Sequence, residues 1–440
     1  MLSMSVALES LHDFLSNNFP DTPGTQFIDI SVSLNDACDL LTWLCHQPIW
    51  PQFYWQQRNG DEEVAALSAV RRFTSLLEAQ HFLQQSTIAP DLRIWGLNAF
   101  VPEQGALFLP RFEWRRCVGK ASMRLILSSD ISLHQDAKQV REILSMLYYP
   151  CGSLPELSLL LKSERHHPDR AGWFQLITQA TDAIASGKLD KVVLARATDL
   201  CFSQPLSAGA IIAASRRVNL SCYHFYMAFD QNNAFLGSSP ERLWWRQGNL
   251  LRTEALAGTV ANHPEERQAQ YLANWLMHDD KNQRENMLVV EDICQRLRDH
   301  VQSLEVQPPQ VVRLRKVQHL RRCIWTTLLA SGDDVCCLQQ LQPTAAVAGL
   351  PRNIARQFIE DNEPFIREWY AGSAGYLSCE RSEFCVALRS GKVTGDSLRL
   401  YVGAGVVRGS DPEQEWQEIN NKAAGLRSLV LNESNVTDSY

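Results

Sequence analysis

Nowhere in these 440 residues does an apolar run approach the ~18 residues of a helical membrane span, so no membrane partner is expected. Positive charge is also short: 42 Lys and Arg face 49 Asp and Glu, a net of −7. Without a global basic field no nucleic-acid partner is expected either, and an anionic substrate needs locally placed cations or a metal. Internal repeats and low-complexity blocks are missing. So are a P-loop, an H-E-x-x-H helix and a nucleophile elbow, since SSPER does not fit G-x-S-x-G. VGAGVVRGS has the spacing G-x-G-x-x-x-G, late in the chain and outside any βαβ context, which argues against a dinucleotide loop. The twelve cysteines form no C-x-x-C or other zinc spacing. Most sit among apolar neighbours, as in FCVAL and YLSCE, where a reduced cysteine acts as a small hydrophobe. The Asn-x-Ser/Thr sites at Asn219, Asn432 and Asn435 then carry no meaning. The N-terminal MLSMSVALESLHDFL has no basic leader region and reads as an amphipathic helix rather than a signal peptide, so a cytoplasmic location is expected.

What is present describes a folded globular chain: 45% hydrophobic, 21% charged, with twelve tryptophans to fill aromatic-rich cores. The first 150 residues mix helix-like stretches (DACDLLTWLCHQ, SAVRRFTSLLEAQHFLQQ) with strand-like ones (QFYWQQ, LRIWGLNAF, MRLILSS). Pro, Gly and a charge cluster near residues 151–170 suggest a boundary there. The expected division is an N-terminal part over residues 1–160, a catalytic region over 161–430 and a disordered tail over 431–440. In the second part FQLITQATDAIASG has helical spacing and closes on Gly187, and KVVLARATDL follows as a buried strand. YHFYMAF, AFLGSSPERLWW and LLRTEALAGT read as antiparallel strands, followed by two helices over HPEERQAQYLANWLMH and DKNQRENMLVVEDICQRLRDHV. More strands and a last helix from near Ser410 complete an α+β class with large antiparallel sheets. For that helix, SDPEQ offers either a Ser-x-x-Glu capping box or Asp411 as N-cap with Pro412 at the first helical position.

Four places carry candidate chemistry, each with an ordinary structural reading beside it. Glu415, Glu418 and Lys422 share one face of the last helix: a solvated Glu–Lys pair, or carboxylates for Mg²⁺, which needs one or two. Glu285 lies on or beside the apolar stripe of Leu288, Val289 and Ile293, where it pairs with Lys281 or faces a site. Lys191 opens an otherwise apolar strand and either snorkels to the sheet edge or is desolvated enough to act as a base. Glu241 follows the small-residue turn GSSP, where a carboxyl can be raised in pKa and serve as an acid.

Taken in order, the segments LDKVVLARA, FLGSSPERLW, TEALAGTVA, KNQRENMLVVEDI, KVQHLRRCIW, LQPTAAVAGLPR, REWYAGSAGYL, SEFCVALRS and GAGVVRGSDPEQEWQEINNKAAGL resemble the chorismate-utilising enzymes over about residues 170–428. YWQQRNGDEEV and DLRIWGLNAF look like the menaquinone-pathway isochorismate synthases of enteric bacteria in particular. The resemblance implies two large antiparallel sheets packed together and flanked by helices, with the active site in a cleft between them. It also implies that the N-terminal part adds strands to the same assembly. By resemblance, Lys191 is the base that activates water and Glu241 the acid for the departing hydroxyl. Glu285 and Glu418 are the Mg²⁺ ligands, with Glu415 a neighbour. Arg389 and Tyr370 hold the enolpyruvyl carboxylate, Gly258, Thr259 and Gly405 contact the ring carboxylate through their backbones, and His319 lines the ring pocket.

The implied reaction converts chorismate to isochorismate, with water adding at C2 while hydroxide leaves C4. It asks for a neutral Lys191 and a protonated Glu241, two groups whose pKa values burial pushes in opposite directions. Aminating relatives resemble this chain but take ammonia from a glutaminase. The lysine at position 191 argues for water, although aminodeoxychorismate synthases can carry one, and no glutaminase subunit is expected. Salicylate synthase, which goes on to eliminate pyruvate, is the second reading. A siderophore-pathway enzyme and a non-catalytic chorismate-binding relative rank lower. A monomer or weak homodimer is expected.

Overall fold

The computed structural model describes residues 4–33, 39–85, 91–148, 152–157, 159–330 and 333–431. Cys38, Cys151, Asn432, Asn435 and nearly all of the expected tail over 431–440 lie outside the described residues. Among the described residues, twenty strands, all paired antiparallel, make two sheets joined through one long strand. Strand Gly105–Cys117 is that joint: its start pairs with Ile94–Asn98, its end with Lys120–Ser129, and most of its length with Glu62–Phe73.

The first sheet runs outward from there in one direction to Lys120–Ser129 and Gly24–Val32. In the other direction it passes through Glu62–Phe73, Gln52–Gln56, Tyr223–Ala228, Asn233–Ser239, Ser390–Thr394, Ser397–Val406, Lys191–Phe202 and Leu161–His167. The short strand Gly349–Leu350 adds to the start of Lys191–Phe202. The second sheet runs Ile94–Asn98, Ser373–Leu377, Arg381–Val386, Arg242–Gln247, Leu250–Ala261 and Val317–Leu328, with Val301–Val306 and Gln310–Arg313 side by side on the last. Strands from before residue 160 therefore lie in both sheets.

Both faces of the middle of the first sheet are covered, so its central strands are buried on both sides yet still alternate. In Gln52–Gln56, Phe53 and Trp55 pack into the core shared with Trp95, Trp244 and Phe384 of the second sheet. Tyr54 points the other way, into a core closed by helices Met4–Leu15, Leu40–Cys45, Leu133–Ser145 and Ala208–Val218. Helix Asp280–Leu297 lies on the second sheet, pinned by Asn286, whose amide donates to the carbonyls of Ala255, Ala257 and Leu320.

The α+β class with large antiparallel sheets is borne out, and several element boundaries are corrected. SAVRRFTSLLEAQHFLQQ is not one helix: residues through Phe73 belong to a strand, and the helix is Leu76–Gln85. Its N-terminal half carries β-branched and aromatic residues that the tryptophan-rich sheet recruits. AFLGSSPERLWW is two strands, not one, because Pro240 lacks the N–H a ladder needs and the chain changes sheets there. Helix Arg170–Ala185 ends as expected, with Gly187 at φ +73°. Of the two start signals for the last helix, Pro412–Val430, the second is used: the Asp411 side chain accepts from Gln414 N–H. All ten cysteines among the described residues are free thiols. No helix among the described residues is long and apolar enough to cross a membrane.

Candidate active site

Two strand-to-strand connections cross from one sheet to the other, and both carry candidate residues. Pro240–Glu241 links Asn233–Ser239 of the first sheet to Arg242–Gln247 of the second. Ala387–Leu388–Arg389 links Arg381–Val386 of the second to Ser390–Thr394 of the first. The crossings lie side by side: Val386 N–H donates to Glu241 O at 3.0 Å and Ser238 N–H to Arg389 O at 3.2 Å. The cleft between the sheets is lined by Glu241, Gly258, Thr259, Glu285, His319, Tyr370, Arg389 and Gly405. Lys422 and Tyr401 join them.

Glu241 is buried and its Oε1 has no hydrogen-bond partner. Burial, then the nearby Glu254 carboxylate, push its carboxyl well above the usual range, against the pull of Lys191, Arg389 and Arg58. Glu254 behaves in the opposite way. Burial alone would raise it, but the Arg58 guanidinium grips both its oxygens, at 2.6 and 2.8 Å, and holds it below its ordinary value.

Lys191 is 0% exposed, so it does not snorkel to an edge, nor does it form bare cleft wall. Its Nζ donates to Glu285 Oε1 at 3.0 Å, and Glu285 rather than Lys191 faces the cleft. Burial would raise Glu285, but Lys191, Lys422 and Lys281 together hold it ionised. Gly405 makes room for this pair: a Cβ there would stand 2.5 Å from Glu285 Oε1 and 3.2 Å from Lys191 Cε.

The pairing of Glu285 with Lys281 is not found; Lys281 reaches Glu415 instead, at 3.6 Å. Glu418 does form the ordinary i, i+4 pair with Lys422, at 2.5 Å. It lines a neighbouring, more open cavity that shares only Thr259 with the main cleft. Glu415 is buried, and burial together with the Glu418 charge pushes its carboxyl up to about 7. Among the described residues, no three His, Cys, Asp or Glu side chains come close enough to cage a metal by themselves. A Mg²⁺ ion does not require that, because it keeps several waters and uses one or two carboxylates. The donor set fits such a hard cation: three carboxylates that raise or balance one another's charge, each facing a lysine that stands in for positive charge.

At the other end, Arg389 has φ +50° and its Nη2 donates to His319 Nε2 at 2.8 Å. With Nε2 accepting, the His319 proton sits on Nδ1, which contacts Thr259 Oγ1 at 3.0 Å. Burial, Arg389 and Lys422 all press the imidazole well below its usual pKa, so it is neutral. Burial also lowers Arg389, from a start so high that the guanidinium stays charged. Tyr370 stacks on Tyr401 with centroids 5.2 Å apart, and burial raises its phenol to about 12. Gly258, at φ +85°, lies against Asn282, whose Oδ1 accepts the Thr259 N–H at 2.9 Å. That N–H is thus already used, and what Thr259 offers the cleft is its hydroxyl.

Sequence reasoning passed over Asn282, Arg58 and Glu254. The first had a signal: Asn282 and Asn286 stand on the same buried stripe as Val289 and Ile293, where apolar residues belong. The other two are brought together from 196 residues apart by sheet pairing alone.

A family model described as chorismate binding enzyme matches residues 98–430. Isochorismate synthase MenF of Escherichia coli (strain K12) is 66% identical over 430 residues, covering 98% of this chain and 99% of that protein. The solved structure of MenF, the menaquinone-specific isochorismate synthase from Escherichia coli, superposes with a TM-score of 0.95 over 97% of this chain and 100% of the other. Anthranilate synthase component I from Streptococcus pneumoniae shares the fold at 19% identity, with a TM-score of 0.66 over 93% of this chain and 94% of that one. On sequence and architecture, the chain belongs to the chorismate-binding enzymes.

Proposed function

We propose that this chain is a Mg²⁺-dependent isochorismate synthase that converts chorismate reversibly to isochorismate for menaquinone synthesis. It acts in the cytoplasm without a glutaminase subunit. The activity and the route are those named for the 66%-identical relative, which is matched over its whole length. The observation that carries the chemistry is Glu241, a buried carboxyl that burial pushes well above its usual range and whose Oε1 is unpartnered in the cleft wall, together with Lys191 beyond Glu285.

Chorismate carries two carboxylates, and the cleft offers cationic groups for both. Arg389, braced by His319 and beside Tyr370, presents a guanidinium to the enolpyruvyl carboxylate. The ring carboxylate falls to the Gly258–Thr259 turn, Gly405 and the carboxylate-bearing helices. A Mg²⁺ ion held by Glu285 and Glu418 would supply charge and orientation to that carboxylate.

Lys191, once it has released its own proton along with its bond to Glu285, takes a proton from a water whose oxygen bonds to C2. The ring double bond shifts, the C4–O bond breaks, and Glu241 gives its proton to the departing oxygen. One C–O bond forms and one breaks, with no change of oxidation state, so the reaction runs in both directions. The neutral His319 and the stacked tyrosines form walls that do not compete for the proton.

The test is incubation with chorismate and Mg²⁺, repeated with EDTA and with ammonium. Isochorismate without pyruvate, abolished by EDTA, is the expected result. Salicylate with pyruvate would replace this reading by salicylate synthase, and an ammonium-dependent product would replace both.

A further inference from the structure

Directly behind Glu241 lies a buried polar cluster that the reaction scheme leaves unused. Arg58 comes from the turn after strand Gln52–Gln56. Besides forking onto Glu254, its Nη1 donates to the Pro240 carbonyl at 3.0 Å. Glu254 Oε1 also accepts the backbone N–H of Arg242 at 2.9 Å. One ion pair therefore grips the residue before Glu241 and the residue after it. The side chain between those two grips is the one left with an unpartnered oxygen. The clasp is itself braced: Arg242 Nε donates to Tyr223 Oη at 3.0 Å, and Tyr223 donates to Glu383 Oε1 at 2.7 Å. Gln57 holds the other Glu383 oxygen at 2.8 Å.

We propose that Arg58 and Glu254 are positioning residues for Glu241, holding the turn that carries it and setting a fixed negative charge behind it. The proposal rests on Glu241 being the acid of the reaction.

The charged groups around Glu241 come from four elements. Lys191 stands on the strand at the cleft floor, Arg389 on the neighbouring sheet crossing, Arg58 on the N-terminal turn, and Glu254 on strand Leu250–Ala261. Glu285 and the neutral His319 share the cleft. Three cations pull Glu241 towards its ionised form, in which it cannot give a proton. Glu254 opposes them, and Arg58 keeps Glu254 ionised. A bidentate arginine suits the task because it stays charged at every working pH and fixes direction as well as charge.

The experiment follows the protonated-carboxyl infrared band that Glu241→Gln lacks, as a function of pH, beside kcat and KM. In Glu254→Gln the band is lost about 1–3 pH units lower than in the parent, the scale of one neighbouring charge. The alkaline limb of kcat moves down with it while KM for chorismate holds. If Glu254→Gln fails to fold because Arg58 is orphaned, the double variant Arg58→Gln/Glu254→Gln removes both charges. It shifts the band in the same direction, since Glu254 acts on Glu241 more strongly than Arg58 does. A folded variant whose band titrates with the parent's overturns the proposal. A band that moves while the kcat profile stays put leaves the clasp standing and removes Glu241 as the acid.

Discussion

The two ends of the cleft solve the same electrostatic problem with different parts. Each sets a carboxyl raised by burial and a neighbouring carboxylate beside a carboxylate kept ionised by a cation. At the sheet-crossing end these are Glu241 and Glu254, with Arg58 forked onto the latter at 2.6 and 2.8 Å. At the helix end they are Glu415, which Lys281 meets at 3.6 Å, and Glu285, held by a single Lys191 contact at 3.0 Å. An arginine fork fixes geometry, whereas a lysine on a four-carbon stem lets go and turns elsewhere. The difference teaches which end is preorganised and which is built to rearrange. In the proposed reaction the acid is held still, and the base must first leave its carboxylate.

The largest effects test whether both ends are needed at once. Positioned acid–base groups contribute ~10²–10⁴-fold, so Glu241→Gln and Lys191→Ala each lower kcat by at least ~100-fold. Glu241→Gln keeps the parent's thermal midpoint, because a neutral amide replaces a neutral acid. Lys191→Ala lowers it, because Glu285 loses its buried partner. Near-full turnover by either variant would refute the assignment.

A second prediction separates the ends by pH. With metal chelated, the folded chain keeps a proton on Glu415 up to about 7, whereas a free glutamate loses it near 4.5. Between those values the native state binds a proton that the unfolded chain has lost, so this group makes stability fall as pH rises. The full loss is on the order of 3 kcal/mol. Denaturant unfolding at pH 5 and pH 7.5 should therefore show a shallower decline for Glu415→Gln than for the parent. Equal declines would mean that Glu415 ionises normally.

How much of this was legible depends on whether a feature is local. Helix Arg170–Ala185 with its Gly187 stop, and the Asp411–Pro412 start, were readable because caps act within one turn. Lys191 and Glu241 stood out because each interrupts an apolar or small-residue run. Neither the partner of Lys191 nor the pair behind Glu241 could be read that way. Lys281 is four residues from Glu285 and was the natural guess, yet Lys191 from a strand of the first sheet takes the place. Arg58 and Glu254 meet because the turn after Gln52–Gln56 and the strand Leu250–Ala261 face each other across the two sheets, a fact no window of sequence contains. The same holds for the helix mistaken over residues 68–73. Its residues are tolerable in a helix, and only the neighbouring strand Gly105–Cys117 makes them a ladder.

The smallest expected effect sits where the two ends meet. Asn282 opens the Glu285 helix, accepts the Thr259 N–H at 2.9 Å and backs Gly258 at φ +85°. It also donates to its own N-cap, Asp279, at 2.7 Å. It thereby ties the helix that carries a carboxylate to the strand whose hydroxyl meets His319 and, through it, Arg389. Asn282→Ala removes the acceptor and leaves one N–H to find water, at a stability cost of about 1 kcal/mol. Because the tie orients rather than reacts, KM for chorismate should rise several-fold with kcat nearly unchanged. Asn282→Asp, which keeps the acceptor but adds a charge near Glu285, should restore KM only at high Mg²⁺. A fall in kcat with KM intact would instead mean that Asn282 serves the chemical step, and that the two ends are not joined through the Thr259 turn.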